Sequence, residues 1–312
     1  MHKEQRDSKF KAKNLILLFL ILFQFSFGQN GIERFLKPSD TLNQKRLNTV
    51  LISETAIGAA TLLALNQSWY ADYPRSKFHF INDNQEWLQM DKVGHFFSNY
   101  HLSKLSSETY QWSGLEKKKA VFYGAATSLA FMTTVEVFDG FSKKWGASVG
   151  DIIANFSGSA LYASQELIWN EQRIIPKFSF HTTSFASRRP NVLGNSFPEQ
   201  VLKDYNGQTY WLSFNINSFI KREGFPKWLN FAFGYGAEGM ITGNDAFVNT
   251  IFLPANQRYR QFYLSFDVDL TKIKTKSRFL KTFLTVFNAV KIPAPTLEIK
   301  GIGSSKFHCL YF

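Results

Sequence analysis

Acidic, imidazole and amide side chains recur at helical spacings in the middle of the sequence. The pairs are Asp91 and His95, Glu136 and Asp139, and Asp151 and Asn155. A spacing of three or four puts both members of a pair on one helix face. An imidazole among carboxylates can transfer protons, and it can also help to bind a divalent cation. The catalytic candidates are therefore His95, Asp91, Glu136 and Asp139, and the metal-binding candidates are His95 and Asp91.

A structural interpretation of the same residues stays open. In it, Lys92 pairs with a carboxylate, Asp151 caps its helix and Asn155 bridges two elements, so that the polar groups fix the helix register. Ser142 completes the polar set as a binding candidate, beside Lys92, Asp151 and Asn155. The sequence has no nucleophile elbow, P-loop, dinucleotide fingerprint, HExxH motif or cysteine pair. We therefore expect a protein that is not an enzyme. The alternative is a membrane-proximal enzyme that acts on a lipid-linked or cell-wall substrate through the His/Asp/Glu residues.

The motifs DKxGHF, ExxDGFS, WGxSxGD and a following Asn and Gly resemble a known family. The matching residues are Asp91, Lys92, Gly94, His95, Glu136, Asp139, Gly140, Ser142, Trp145, Gly146, Ser148, Gly150, Asp151, Asn155 and Gly158. Together they resemble the YfiM-like family of predicted envelope lipoproteins, and more distantly the VanZ-like membrane proteins. The resemblance implies an envelope location and no established reaction. The sequence lacks a cysteine just after its N-terminal apolar run, so a lipid anchor is not carried over.

Four amphipathic or apolar stretches predict the helices that position these residues. They cover residues 49–65, 91–110, 119–138 and 148–169. Small residues recur every four positions on the last two, as Ala120, Gly124 and Ser128 and as Gly150, Ala154 and Gly158. Such stripes let helices approach closely in membrane bundles and in compact soluble ones. The sequence therefore leaves open whether the helices lie in a membrane or beside it.

From residue 207 the apolar side chains alternate with polar or small ones. Clear strands are predicted at 210–217, 228–239, 261–270 and 306–312, with weaker ones around 174–185, 246–253 and 296–302. Strands of about ten residues with aromatics on one face are typical of outer-membrane barrels, but a single-chain barrel needs at least about eight strands. The pattern therefore favours an antiparallel sheet or partial barrel over a closed barrel.

A basic segment in this half precedes an amphipathic stretch. Its cationic residues include Lys272, Lys274, Lys276 and Arg278, and Phe279, Leu280 and Phe283 follow at helical spacing. A basic amphipathic helix is typical of a membrane surface with anionic head groups. An ordinary surface helix packed on the sheet is the alternative.

The N-terminus has the order basic, apolar, small that is typical of a secretory signal. Five Lys and Arg residues precede the apolar run 15–23, and Ser26 and Gly28 fit a cleavage site. We divide the α+β chain into a signal peptide (1–28), a helical domain (29–170), a connector (171–206) and a β-rich region (207–312). A retained N-terminal anchor is the alternative interpretation.

The composition limits the classes of partner that the protein can bind. The net charge is +12, and aromatic residues make up 17% of the chain, with a single cysteine, Cys309. A basic exported protein suits anionic lipid or glycolipid, whereas export makes nucleic acid an unlikely partner and we expect none. We predict a membrane-associated envelope protein, in the outer rather than the inner membrane, that has a structural or lipid-binding role. A partial barrel also favours a homo-oligomer, and a divalent metal is the one cofactor that the residues suggest.

Overall fold

The protein combines a helical half with an antiparallel sheet, as predicted. A computed structural model describes residues 31–71, 73–244 and 258–311. The predicted signal peptide, the weak strand around 246–253 and the terminal Phe312 lie outside the described residues.

Four long helices form the first half, and each corresponds to a predicted one. They are α1 (Gln44–Leu65), α2 (Met90–Trp112), α3 (Lys117–Gly140) and α4 (Val149–Ile168). Asn43 caps α1 by accepting a hydrogen bond from the Arg46 amide at 3.1 Å. Ser148 caps α4 in the same way, and its Oγ accepts from the Asp151 amide at 3.2 Å. The predicted cap at Ser148 is thus confirmed.

The predicted stripes of small residues bring α3 and α4 against α2. A Cβ added at Gly124 would lie 2.5 Å from the Ser107 amide nitrogen of α2. A Cβ added at Gly158 would lie 2.2 Å from the Phe96 carbonyl oxygen of the same helix. Only glycine fits at these two positions, so α2 lies between α3 and α4 at close range.

Polar side chains fill the contact between these helices. Asn99 of α2 donates to the Asn155 carbonyl of α4, and Ser128 of α3 donates to Asn99. The Ser103 and Ser159 hydroxyls are 2.7 Å apart. Hydrogen bonds from polar side chains thus add to the apolar packing of Tyr100, Val121 and Tyr162 between the same helices.

Short elements lie within and between the two halves, and a longer helix lies within the second. They are β1 (Phe80–Ile81), β2 (Ala147–Ser148), α5 (Pro190–Leu193), α6 (Phe197–Lys203), α7 (Ile216–Ile220) and α8 (Arg278–Phe287). β1 and β2 pair in parallel and bring residues 80–81 against the start of α4. The predicted amphipathic helix after the basic segment is confirmed as α8, which has no buried residue.

Six antiparallel strands form the sheet in simple meander order. They are β3 (Ile174–Phe180), β4 (Gln208–Asn215), β5 (Leu229–Glu238), β6 (Tyr259–Val268), β7 (Ala294–Lys300) and β8 (Ser305–Tyr311). The four clear strands and two of the three weaker ones are confirmed, and β3 lies inside the predicted connector. Within the described residues the sheet is not closed into a barrel: β8 pairs only with β7. Residues 289–291 cover part of the β3 edge.

Both halves turn apolar side chains outward and polar ones inward. Along β5 and β6, Asn230, Ser265 and Asp267 are buried, whereas Phe231 and Phe266 are exposed. None of the phenylalanines in the described part of the chain is buried. Soluble proteins bury most of their large apolar side chains, so this polarity is reversed.

Among the described residues, two helices are long and apolar enough to cross a membrane by length and composition, α1 and α3. Core helices of soluble proteins pass the same test, but α1 is hardly buried: of its 22 residues only Val50 is. Ile52, Ile57 and Leu63 are each about two-thirds exposed or more. The outer face of α1 is therefore a large unpartnered apolar surface.

Candidate functional site

Three helices converge on Lys92 and His95 at one end of the helical half. Lys92 lies near the start of α2, and its Nζ contacts Asp83, Asp91 at 3.3 Å and Asp151 at 2.9 Å. Asp83 follows β1, and its Oδ1 also accepts a 2.6 Å hydrogen bond from the Ser148 hydroxyl. One ammonium group thus links three carboxylates from three elements.

His95 lies one turn further along α2 and faces the other two helices. Its Nδ1 is 3.2 Å from Asn155 Oδ1 of α4 and 3.6 Å from Glu136 Oε1 of α3. Its Nε2 is 3.8 Å from Asp91 Oδ1 and 4.0 Å from Asp151 Oδ1. We name Asp83, Asp91, Lys92, His95, Glu136, Asp151 and Asn155 the His95 cluster. The predicted convergence of three acidic or amide-bearing helix ends is therefore present.

The carboxylates set the protonation states of the two cations. Burial by itself lowers the pKa of Lys92, but Asp91 and Asp151 raise it above its ordinary value. Burial also opposes a charged His95, and the same two carboxylates with Glu136 nevertheless raise its pKa. The charged imidazolium is therefore favoured more than in a free histidine.

The pKa values of the two aspartates beside these cations are shifted in opposite directions. Burial tends to raise the pKa of Asp91, but His95 and Lys92 hold it below its ordinary value. Burial, with the nearby Asp91 charge, raises the pKa of Asp151 to about 7. Opposed shifts in neighbouring carboxyl groups are a feature of functional sites and of structural ion-pair networks.

Three polar atoms of the cluster remain without a hydrogen bond among the described residues. One of them, Asp151 Oδ1, is ion-paired with Lys92. The other two are Glu136 Oε1 and Asn155 Nδ2, both on side chains about 97% buried. Glu136 uses its other oxygen to accept from the Ser148 amide at 3.0 Å. The cluster therefore has one acceptor and one donor to offer beside the His95 ring.

The cluster also offers atoms that suit a metal ion. Asp91, His95 and Asp151 each have a ligand atom, and the three atoms lie within 4.8 Å of one another. Lys92 opposes a metal there, because its ammonium already contacts both aspartates. A divalent cation would have to displace or repel a buried positive charge, so an internally paired cluster fits these residues better.

The remaining sequence-predicted residues lie apart from His95. Asp139 accepts a 2.9 Å hydrogen bond from the Tyr70 hydroxyl. Ser142 accepts from the Lys144 amide at 3.2 Å, in the turn after α3. At the opposite end of the molecule, Lys272 pairs with Glu171 at 3.0 Å. Lys274, Lys276 and Arg278 are exposed beside it.

Two members of this region were not predicted from the sequence. Asp83 stands in a polar loop with no helical spacing to the other residues, and its contact depends on the β1–β2 pairing. Tyr205 lies more than 100 residues from Asp91, yet its hydroxyl donates to Asp91 Oδ1 at 2.7 Å. Neither residue carries a local sequence signal that could have placed it here.

A second buried charge pair, also missed, lies inside the sheet. Lys177 of β3 and Asp267 of β6 are 2.7 Å apart, and both side chains have no exposure. Ser213 also donates to Asp267, at 2.7 Å. Lys291 lies next to this pair, with its Nζ 5.0 Å from the centre of the Trp211 ring. The polar positions of alternating strands were the available signal, but it does not reveal which pairs meet.

Comparisons with known proteins agree with an envelope protein. Residues 79–165 match the model of a family described as a predicted periplasmic lipoprotein, DUF2279. This segment holds the whole His95 cluster and covers less than a third of the chain. No curated protein and no solved structure matches the chain. The match supports an exported cell-envelope protein of unknown function, and the narrower YfiM-like and VanZ-like resemblances stay predictions.

Proposed function

We propose that the protein is a membrane-associated envelope protein whose apolar outer surface contacts lipid and whose role is structural or lipid-binding. The reversed polarity carries this proposal. Exposed apolar residues on α1, on α8 and on the outer face of the sheet include Ile52, Phe283 and Phe266. Lipid hydrocarbon is the partner that removes all of this area from water at once.

The distribution of charge along α4 supports the same contact with lipid. α4 begins at the His95 cluster with Asp151 and ends beside Glu171, near the basic segment. Twenty helical residues extend about 30 Å, which is also the thickness of a bilayer hydrocarbon core. The charged groups thus lie at the two ends of an apolar band.

The outer membrane is the location that we propose within the envelope. The alternating aromatic strands are typical of outer-membrane proteins, although six strands form an open sheet. The edge of β8 that no described strand covers supports self-association, because an unpaired strand can pair with another copy.

Membrane fractionation tests this proposal. Inner and outer membranes are separated, and each is washed with carbonate at high pH. We expect the wild-type protein to stay in the outer-membrane pellet after the wash. Recovery in the inner membrane would contradict the proposed location while leaving lipid contact intact. Release into the wash would contradict lipid contact itself.

A second candidate is an enzyme, or a ligand-binding protein, that acts through His95. The unpaired Glu136 Oε1 and Asn155 Nδ2 favour it, because they could bind a polar substrate beside an imidazole. In this case His95→Ala removes function and leaves the melting temperature unchanged. A metal-dependent version further requires that Zn²⁺ raises the melting temperature of the wild type and not that of His95→Ala.

A further inference from the structure

Two adjoining cavities open where β4 ends and β5 begins, at the end of the molecule remote from His95. The polar one, of about 370 Å³, is lined by residues that include Asn215, Ser218, Lys221 and Arg222. The other, of about 610 Å³, is mostly apolar and is lined by Trp228, Val268, Ile273 and Lys274. Lys227 and Lys272 line both cavities and stand at their border.

The cavities carry an excess of unpaired positive charge. Five cationic residues line them, against two acidic ones, Glu171 and Glu223. Glu171 is engaged by Lys272. Among the described residues, no carboxylate lies within ion-pair distance of Lys221, Arg222, Lys227 or Lys274. This border region therefore attracts an anion.

The apolar cavity continues onto the outer face of the sheet. Val268 occupies the same strand face as the exposed Phe266, and Trp228 and Ile273 are more than 40% exposed. An amphiphile with its anionic group at Lys227 would therefore have an apolar path from the cavity to Phe266. A soluble anion would use only the polar half of this arrangement.

We propose that these cavities bind the phosphate head group of an anionic lipid. The phosphate contacts Lys227 and Lys272, with Lys221 and Arg222 behind it. The attached chain runs past Trp228 and Ile273 toward Phe266. The inference rests on the lipid contact proposed above, and it adds the class of lipid and the place where it binds.

Native mass spectrometry of the full chain in a mild nonionic detergent tests this site. Phosphatidylglycerol and phosphatidylcholine are offered separately, and retained lipid is measured. The test variant is Lys227→Gln with Lys221→Gln, because both side chains line the polar cavity and, among the described residues, neither has an ion-pair partner. The control is Lys143→Gln with Lys306→Gln, which removes the same charge from exposed positions near the other end.

We expect the wild type to prefer phosphatidylglycerol and the test variant to lose that preference by about tenfold. The control should keep it. An equal loss in both variants would show that net charge and not this site selects the lipid, and it would overturn the inference. Wild type that retains phosphatidylcholine equally well would overturn the inference while the proposed lipid contact stands.

Competition with a soluble phosphate compound distinguishes a lipid head group from a free phosphate as the bound anion. Addition of glycerol phosphate at constant ionic strength should leave retained phosphatidylglycerol unchanged. Displacement at equal concentration would identify a site for a free phosphate compound and overturn the lipid assignment. Failure of the proposed membrane association would be seen independently, as release of the protein by the carbonate wash.

Discussion

The helical half and the sheet half both contain buried charged side chains, but they differ in how far those side chains are shielded from water. In the sheet, Lys177 and Asp267 are fully buried at 2.7 Å from each other, and Ser213 also donates to the carboxylate. In the helices, Lys92 and His95 keep 13% and 15% of their side-chain exposure and face an excess of carboxylates. The sheet pair is sealed and can only stabilise the fold. The His95 cluster remains within reach of water, and unpaired atoms beside it can still bind a partner.

The sealed pair should give the largest effect when it is broken. Lys177→Met leaves Asp267 as an uncompensated charge in the interior of the sheet. We expect the free energy of unfolding to fall by about 3–5 kcal/mol. Denaturant unfolding in detergent, followed by tryptophan fluorescence because Trp211 lies in the same core, measures this loss.

Two variants accompany that measurement. Adding Asp267→Asn to Lys177→Met should recover part of the stability because the unpaired carboxylate is removed, and only part because the buried Lys291 then loses its nearby carboxylate. The exposed Lys143→Met should change stability by no more than about 0.5 kcal/mol. A loss below about 1 kcal/mol in Lys177→Met would show that water reaches the pair and that the sheet interior is not sealed.

Disruption of the His95 cluster should reduce stability less than disruption of the Lys177–Asp267 pair. His95→Ala leaves Asn155 Oδ1 without its imidazole partner and Glu136 Oε1 without the ring nitrogen 3.6 Å away, but part of the cluster stays exposed and Lys92 stays in place. We expect a loss of about 1–3 kcal/mol, measured as a lower melting temperature in detergent. Combined with Glu136→Gln, the two losses should be less than additive, because both residues belong to one network. An unchanged melting temperature for His95→Ala would favour the enzyme or ligand-binding candidate.

The helical positions of the cluster could be predicted from the sequence because helices impose a fixed local geometry. Spacings of three and four identified one face of each helix, and the stripes at Gly124 and Gly158 indicated where backbones meet. The meeting of three helix ends at His95 followed from these two facts. Asp83 and Tyr205 could not be predicted, since their contacts depend on chain connections with no period.

The sheet shows a different limit of sequence reasoning. Alternation predicted the strands and their two faces, but it does not state which face is buried. Phe231 and Phe266 would face the core of a soluble sheet, and here they face outward. The Lys177–Asp267 pair is likewise invisible to local patterns, because 90 positions separate its members and they lie on β3 and β6, which are not neighbours in the sheet.

The pH dependence of stability should separate the two regions further. The raised pKa of His95 gives stability that is complete below about pH 6.5 and is lost as the pH rises through the folded-state value. The pKa of Asp151, raised to about 7, acts in the same direction, because its proton is lost more easily in the unfolded chain. We expect the free energy of unfolding to fall by about 2–3 kcal/mol between about pH 5 and pH 8, mostly through Asp151. Thermal melts across this range should show a smaller slope in Asp151→Asn and an unaltered slope in Lys177→Met.

The smallest effect is expected at Asp139, which the sequence groups with His95 and which the structure pairs with Tyr70. Asp139→Asn keeps an oxygen that can accept the 2.9 Å hydrogen bond from the Tyr70 hydroxyl. The melting temperature should therefore change by the equivalent of at most about 0.5 kcal/mol, well below the loss in His95→Ala. Tyr70→Phe is the matched control, since it removes the donor instead of the acceptor's charge. A loss in Asp139→Asn as large as that in His95→Ala would mean that the Asp139 charge supports the cluster across the last turn of α3. Asp139 would then have to be counted as a member of the His95 cluster.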